Sequence, residues 1–164
     1  MSAEHSAGAV IFRKDYNPPA ASSPPSRREG GAPGGEIYYL LLNYTALGKI
    51  EKTYWGFPKG HIEKGEKEID TVKREVAEET DIKDLKFIEG FKETEKYFFK
   101  QKGETIFKTV SYLLAETKTK EINLSFEHLN YKWLPYEKAI GQLTFKNAKE
   151  ILKKANDFLA KHEA

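Results

Sequence analysis

The chain has 164 residues, of which 39% are hydrophobic, 13% aromatic and 32% charged, enough apolar material to bury a core and too much for a disordered chain. Lys and Arg number 27 against 25 Asp and Glu, a net charge of +2, so nothing marks a nucleic acid or an anionic membrane as partner. The absence of Cys excludes disulfides, thiolate metal sites and cysteine nucleophiles, and leaves only oxygen and histidine to hold a metal.

Met1 to Val10 lacks a basic segment followed by an apolar one, and no stretch approaches the roughly 18 apolar residues of a membrane span; a cytoplasmic, monomeric protein is expected. Gly8 to Phe12 and Glu36 to Tyr44 are β-branched, aromatic and leucine-rich runs that predict two strands. Between them, Asn17 to Gly35 holds five of the seven prolines and four of the twelve glycines. A segment so poor in apolar bulk cannot offset its ordering entropy, which predicts a mobile Pro/Gly/Ser-rich loop inserted between two paired strands, a plain linker in preference to a docking segment. Residues 1–164 otherwise read as a single domain.

Gly56 to His61 is a Gly- and Pro-punctuated loop carrying Lys59, and Gly65-Glu66 follows it. Lys67 to Thr80 predicts a helix. Leu85 to Glu89, Thr94 to Lys100, Thr105 to Ala115 and Tyr131 to Leu134 are strand-like, with turns at Gly90 and Gly103. From Phe145 to His162, Phe145, Ala148, Ile151, Leu152, Ala155, Phe158 and Leu159 recur at helical spacing and make one apolar face. No repeat is present, so an α/β domain is expected, its sheet covered by at least two helices.

On the Lys67 to Thr80 helix, at about 100° per residue, Glu78 and Glu79 fall about 60° to one side and 40° to the other of Glu75. Three carboxylates therefore share one stripe, bordering the Ile69, Val72 and Val76 face that must pack on the sheet. Glu79 is expected at the edge of the exposed surface. Like charges so close repel, and Arg74 alone cannot neutralise three of them. A hard divalent cation can: Mg²⁺ or Mn²⁺ accepts oxygen-only ligation and is commonly shared with substrate phosphates. A Glu-rich helix taken alone would be a solvated face, but the loop before it brings an ammonium and glycine backbone suited to phosphate.

Gly60, five intervening residues, Glu66, seven intervening residues and then Arg74-Glu75-Val76-Ala77-Glu78-Glu79 resemble the Nudix box, G-x5-E-x7-REUxEExGU, of the Nudix hydrolases. The resemblance implies an α/β/α sandwich around a mixed β-sheet, with the box as a loop–helix–loop motif. It also implies divalent cations held by Glu75, Glu78 and Glu79, with Glu78 and Glu79 as direct ligands and Glu75 bound through water or acting as a base, a backbone carbonyl near Lys59 or Gly60 completing the coordination, and Arg74 paired with Glu66 to orient the cluster. Where the pattern has its last Gly this chain has Asp81, a residue able to visit the left-handed conformation of a helix C-cap at modest cost.

Outside the box, Leu124 to Trp133 is similar to the S-x-EH-x-x-x-x-W signature of the diadenosine tetraphosphate hydrolase branch, in which the Glu is a metal ligand or general base, here Glu127. Tyr54 to His61 resembles the W-x-x-PKGH entrance of that branch, Lys108 to Tyr112 its KTV-x-Y strand, and Leu143-Thr144-Phe145 the start of its last helix. The implied substrate is a dinucleoside polyphosphate. Lys59 and Lys108 would clamp its phosphates, and Tyr54, Phe99 and Phe145 would offer stacking faces, with Tyr112 nearby. Strand aromatics such as Phe98 and Phe99 otherwise belong to the core, and His61 and His128 read as loop histidines that organise backbone. The same box would also serve an oxidised nucleotide, an RNA 5′-end or a diphosphoinositol phosphate, or survive in a nucleotide-binding module that has lost catalysis.

Overall fold

Both faces of the first strand are apolar, and that decides its place. Strand β1 (Ser2–Asp15) directs Ala7, Ala9 and Ile11 to one core and Val10 and Phe12 to another, the double-sided burial of a central strand. Strand β2 (Glu36–Ala46) does the same with Leu40 and Leu42 on one side and Tyr39 and Leu41 on the other. The computed structural model describes residues 2–15, 35–46 and 49–162; the expected insertion, from Asn17 up to residue 34, lies outside the described residues. Its flanks pair as expected: β1 and β2 are antiparallel, with Asp15 opposite Glu36 and Phe12 opposite Tyr39.

The remaining elements are β3 (Lys49–Gly56), β4 (Lys59–His61), α1 (Glu68–Thr80), β5 (Lys86–Phe87), β6 (Glu93–Gln101), β7 (Glu104–Glu116), β8 (His128–Pro135), α2 (Tyr136–Gln142) and α3 (Lys146–His162). The sheet is mixed: β1 runs parallel to β7 from Ser2 to Phe12, while the other pairs are antiparallel. Helix α1 contributes Val72 and Val76 to the core on one face of the sheet, each worth about 1.5–3 kcal/mol of burial. Helices α2 and α3 cover the other face with Ala139, Ala148, Ile151, Leu152, Ala155 and Leu159. The result is the expected α/β/α sandwich, and among the described residues no helix is long and apolar enough to cross a membrane.

One departure from expectation builds the site. Gly56 to His61 is not a plain loop: β3 ends at Gly56 and, after Phe57-Pro58, β4 pairs with β1 through Ser6–His61, Ala7–Gly60 and Gly8–Lys59. The sheet therefore forks. β1 pairs with β2 only over Phe12–Asp15, and beyond that each diverging strand takes a new neighbour, β4 on β1 and β3 on β2. Gly8 permits this, because a Cβ there would collide with the Pro58 carbonyl and with Lys59; Ala9 N–H donates to Pro58 O at 3.1 Å.

Two smaller differences follow from edges. The strand expected over Leu85 to Glu89 shortens to Lys86–Phe87. Phe98 is 63% exposed and not in the core; its ring tilts against that of Phe107 on β7, centroids 4.8 Å apart.

Candidate functional site

Helix α1 starts where Lys67 is still extended, carries Glu68 and Asp70 in its first turn, and stops at Asp81. Asp81 has φ 63° and ψ 16°, and its N–H reaches Ala77 O, so Asp supplies the left-handed cap expected of the missing Gly. The last carbonyls of α1 are taken by a later segment: Ser125 N–H donates to Glu79 O at 3.1 Å and Asn123 N–H to Thr80 O at 3.2 Å. Helix ends leave such carbonyls unpaired, and their capture seats the turn at Ser125–His128 directly over the acidic stripe.

The stripe is graded in exposure. The Glu78 side chain is 59% exposed, Glu75 16% and Glu79 7%. Glu79 is thus buried, not at the edge of the surface, because β4 and the 125–128 turn close over it. Burial, then the charges of Glu75 and Glu127, push its carboxyl up to about 9, against a backbone hydrogen bond from Lys59 that lowers it. Burial raises Glu75 as well, opposed by its hydrogen bond from Arg74.

Arg74 is tied down as the spacing implied. Its Nε donates to Glu66 Oε2 at 2.8 Å and its Nη2 to Glu66 Oε1 at 2.9 Å, a bidentate pair, while Nη2 also reaches His61 O at 3.0 Å. Nη1 donates to Glu75 Oε1 at 2.8 Å. Glu66 in turn accepts from Glu63 N–H and Thr71 Oγ1, both at 2.9 Å. The Arg74 hydrogen bond is the largest of the effects that hold Glu66 at about 2. Gly60 lies so close that a Cβ would overlap the Glu75 carboxyl, which brings the β4 backbone against the stripe.

Two cavities meet at this place. One, of about 510 Å³, is lined by Glu75, Glu78, Glu79, Glu127, Gly60 and the cations Lys59 and Lys108, with Ser6, Tyr44, His61, Ser125 and Phe126. The other, of about 460 Å³, has aromatic walls of Tyr54, Tyr97, Tyr112 and Phe145, together with Glu95 and Asn147. Tyr44 and Lys59 line both. Burial first, then the neighbouring charge of Lys108, lowers the Lys59 ammonium below its usual range. Tyr44 is fixed by donating to Phe57 O at 2.5 Å and by stacking on Tyr54 at 5.0 Å. A two-bond clip, Trp55 N–H to Thr144 Oγ1 at 2.8 Å and Thr144 N–H to Trp55 O at 3.3 Å, sets Tyr54 beside Phe145, ring centroids 5.4 Å apart.

The structure thus brings Glu75, Glu78, Glu79, Glu127, Gly60, Lys59 and Lys108 together, and places Tyr54, Tyr112 and Phe145 next to them. Glu66 and Arg74 stand behind the carboxylates and line neither cavity. Phe99 also lines neither. Its expected place is taken by Tyr97, two residues earlier on the same side of β6; alternation identifies the side and not the depth along it. His128 is no loop histidine but the buried first residue of β8, and His61 is an exposed residue of β4. Tyr97, Tyr44, Phe126 and Glu95 were not singled out by sequence; Tyr97 was within reach of it through the Tyr97–Phe99 spacing.

A divalent cation fits. Glu79 Oε2 is buried without a hydrogen-bond partner, an unpaired acceptor of the kind a cation satisfies. Among the described residues no three His, Asp or Glu side chains converge as a ready-made cage. Mg²⁺-type sites take one or two carboxylates, several waters and substrate phosphates, and need no such cage. Glu79, with Glu75, Glu78 and Glu127 around it, could hold such an ion beside Lys59 and Lys108.

The family model described as the NUDIX domain matches residues 25–155, and the chain belongs to the Nudix hydrolase family, whose members generally use divalent metal ions. Among its relatives is a Mus musculus protein named bis(5′-nucleosyl)-tetraphosphatase (asymmetrical), 43% identical over 110 residues, which are 65% of this chain and 72% of the mouse protein. The Caenorhabditis elegans protein of the same name is 35% identical over 158 residues, 94% of this chain and 96% of that one. The crystal structure of a C. elegans Ap4A hydrolase binary complex superposes with a TM-score of 0.72 at 32% identity, covering 96% of this chain and 98% of the other.

Proposed function

We propose that this protein hydrolyses dinucleoside polyphosphates asymmetrically, taking diadenosine tetraphosphate and water to ATP and AMP, with Mg²⁺, or alternatively Mn²⁺, as cofactor. The observation that carries the reading is the junction of the two cavities: a carboxylate and lysine chamber for phosphates opens, across Lys59 and Tyr44, into an aromatic chamber of nucleoside size. The names of the mouse and C. elegans relatives support the same substrate.

In this reading Tyr54, Tyr97 and Phe145 stack one adenine, and Lys59 and Lys108 neutralise the polyphosphate as it passes. Glu79 would hold the divalent ion together with Glu78 and Glu75, and the ion when bound would supply charge neutralisation and acidify the attacking water. Glu127, on the facing turn, takes the water's proton. Arg74, pinned by Glu66, keeps Glu75 in place. One phosphorus–oxygen bond breaks, water supplies the hydroxyl of one product, and the leaving phosphate carries the charge away past the lysines.

Chromatography of products after incubation with Mg²⁺ and diadenosine tetraphosphate tests this, alongside oxidised dGTP, a 5′-triphosphorylated RNA and a diphosphoinositol phosphate. ATP and AMP in equal amounts, with slow turnover of the other three, is the expected result. Preferential turnover of another compound would replace the substrate and keep the family chemistry.

A further inference from the structure

Phe126 is 97% exposed and yet stands on one of the most firmly held turns of the site. Ser125 is fixed to the end of α1 through Glu79 O, His128 N–H closes the turn on Ser125 O at 3.2 Å, and Ser125 Oγ lies 2.9 Å from His128 Nδ1. Phe126 and Glu127 are the two central residues of this turn. Glu127 projects its charge onto Glu79 and Glu75. Its neighbour Phe126 shares the phosphate cavity with Lys59 and Lys108 and is absent from the aromatic one.

An isolated exposed aromatic needs no explanation, but this one has its stem immobilised, so little entropy is lost when a flat ligand settles on it. A substrate with one base between Tyr54, Tyr97 and Phe145 must run its phosphates past Lys59, which both cavities share, and then past Lys108. Its far end leaves by the Ser125–His128 turn. We propose that Phe126 is the stacking platform for the second base of a dinucleoside polyphosphate and so sets a preference for two-headed over one-headed substrates. The proposal rests on the substrate reading given above and adds to it a residue and a selectivity.

Steady-state kinetics of the wild type, Phe126→Ala and Phe126→Tyr decide it, using diadenosine tetraphosphate and adenosine 5′-tetraphosphate, which has a single base. Stacking of a base on an aromatic ring corresponds to roughly 5- to 150-fold in binding. In Phe126→Ala the ratio of kcat/KM for diadenosine tetraphosphate to that for adenosine tetraphosphate should fall by about this factor, the change lying in KM, and Phe126→Tyr should restore it. An unchanged ratio, or a loss shared by both substrates, would overturn the proposal. A wild type that cleaves neither compound would remove the activity reading instead. The role of Phe126 is then decided by calorimetric binding of methylene-bridged analogues of the two compounds: selective weakening of the dinucleoside analogue in Phe126→Ala supports it, and equal binding refutes it.

Discussion

Nε2 of His128 lies 3.7 Å from Oε1 of Glu79, and neither side chain is open to solvent. The imidazole has no hydrogen-bond partner at Nε2, and burial keeps its pKa below the usual histidine range. His128 is therefore neutral at neutral pH and does not offset the Glu79 charge. The buried carboxyl has two ways out of an unpaired negative charge: it keeps its proton, or it meets a cation.

Glu79→Gln is accordingly expected to fold, since Gln is close in shape to the protonated acid that the metal-free protein prefers. Its midpoint of thermal unfolding without metal should match the wild type at about pH 4 and exceed it at about pH 7. The rise in that midpoint on adding Mg²⁺ should disappear, and kcat should fall more than 100-fold, beyond the range for groups that only support a metal ligand. An undiminished Mg²⁺-dependent rise would take Glu79 out of the metal site.

The same residue predicts a pH dependence. Its pKa is about 9 in the folded chain against an ordinary value of 4.5, so between these values the folded state binds the extra proton. Stability per unit pH follows the protons bound by the unfolded state less those bound by the native one. The Glu79 contribution is complete below about pH 4.5 and is lost as pH rises through about 9. Unfolding midpoints in EDTA should therefore decline across this window, and saturating Mg²⁺ should flatten the decline; a Glu79→Gln variant should show the flat profile with no metal at all.

Glu66→Gln tests the anchoring of Arg74. Without the carboxylate the guanidinium loses its bidentate partner and is drawn further onto Glu75 and Glu78, already 2.8 and 3.5 Å away. A drop in kcat of about 10- to 100-fold is expected, with metal affinity lowered in parallel. Circular dichroism should remain that of the wild type.

The register of β1 on β2 predicts that the Pro- and Gly-rich insertion can be replaced. Asp15 and Glu36 are already direct partners, so residues 16–35 can give way to a two-residue Asn-Gly turn. Closing a shorter loop should add about 2 kcal/mol of stability, with kcat for the preferred substrate within about twofold. A large loss of kcat would show that the insertion contributes to turnover.

Much of this site was legible in the sequence because it is local. The spacing from Gly60 to Glu79 lies on one loop and one helix, and helical geometry places Glu75, Glu78 and Glu79 without knowledge of the rest. Glu127 and Phe145 needed the family resemblance, since no periodicity links them to α1. What escaped depends on pairing at a distance. Lys59–His61 is too short to show alternation and becomes a strand only because β1 offers it a free edge; α2, seven residues long, is too short for a helical period. The burial of Glu79 and His128 comes from the 123–128 segment closing over the end of α1, a contact between residues more than forty positions apart.

Asp81 gives that closure a further meaning. Its carboxylate accepts from Asn123 Nδ2 at 3.2 Å, two residues before the turn that carries Phe126 and Glu127. A glycine at this position would satisfy the backbone geometry more easily and would take away the acceptor of the Asn123 side chain, leaving that residue tied to the helix end only by its backbone N–H on Thr80 O. Restoring the family residue would thus relax the helix end while slackening the strap over the carboxylates, so that a change favourable to the isolated cap would be felt as looser control of Glu127.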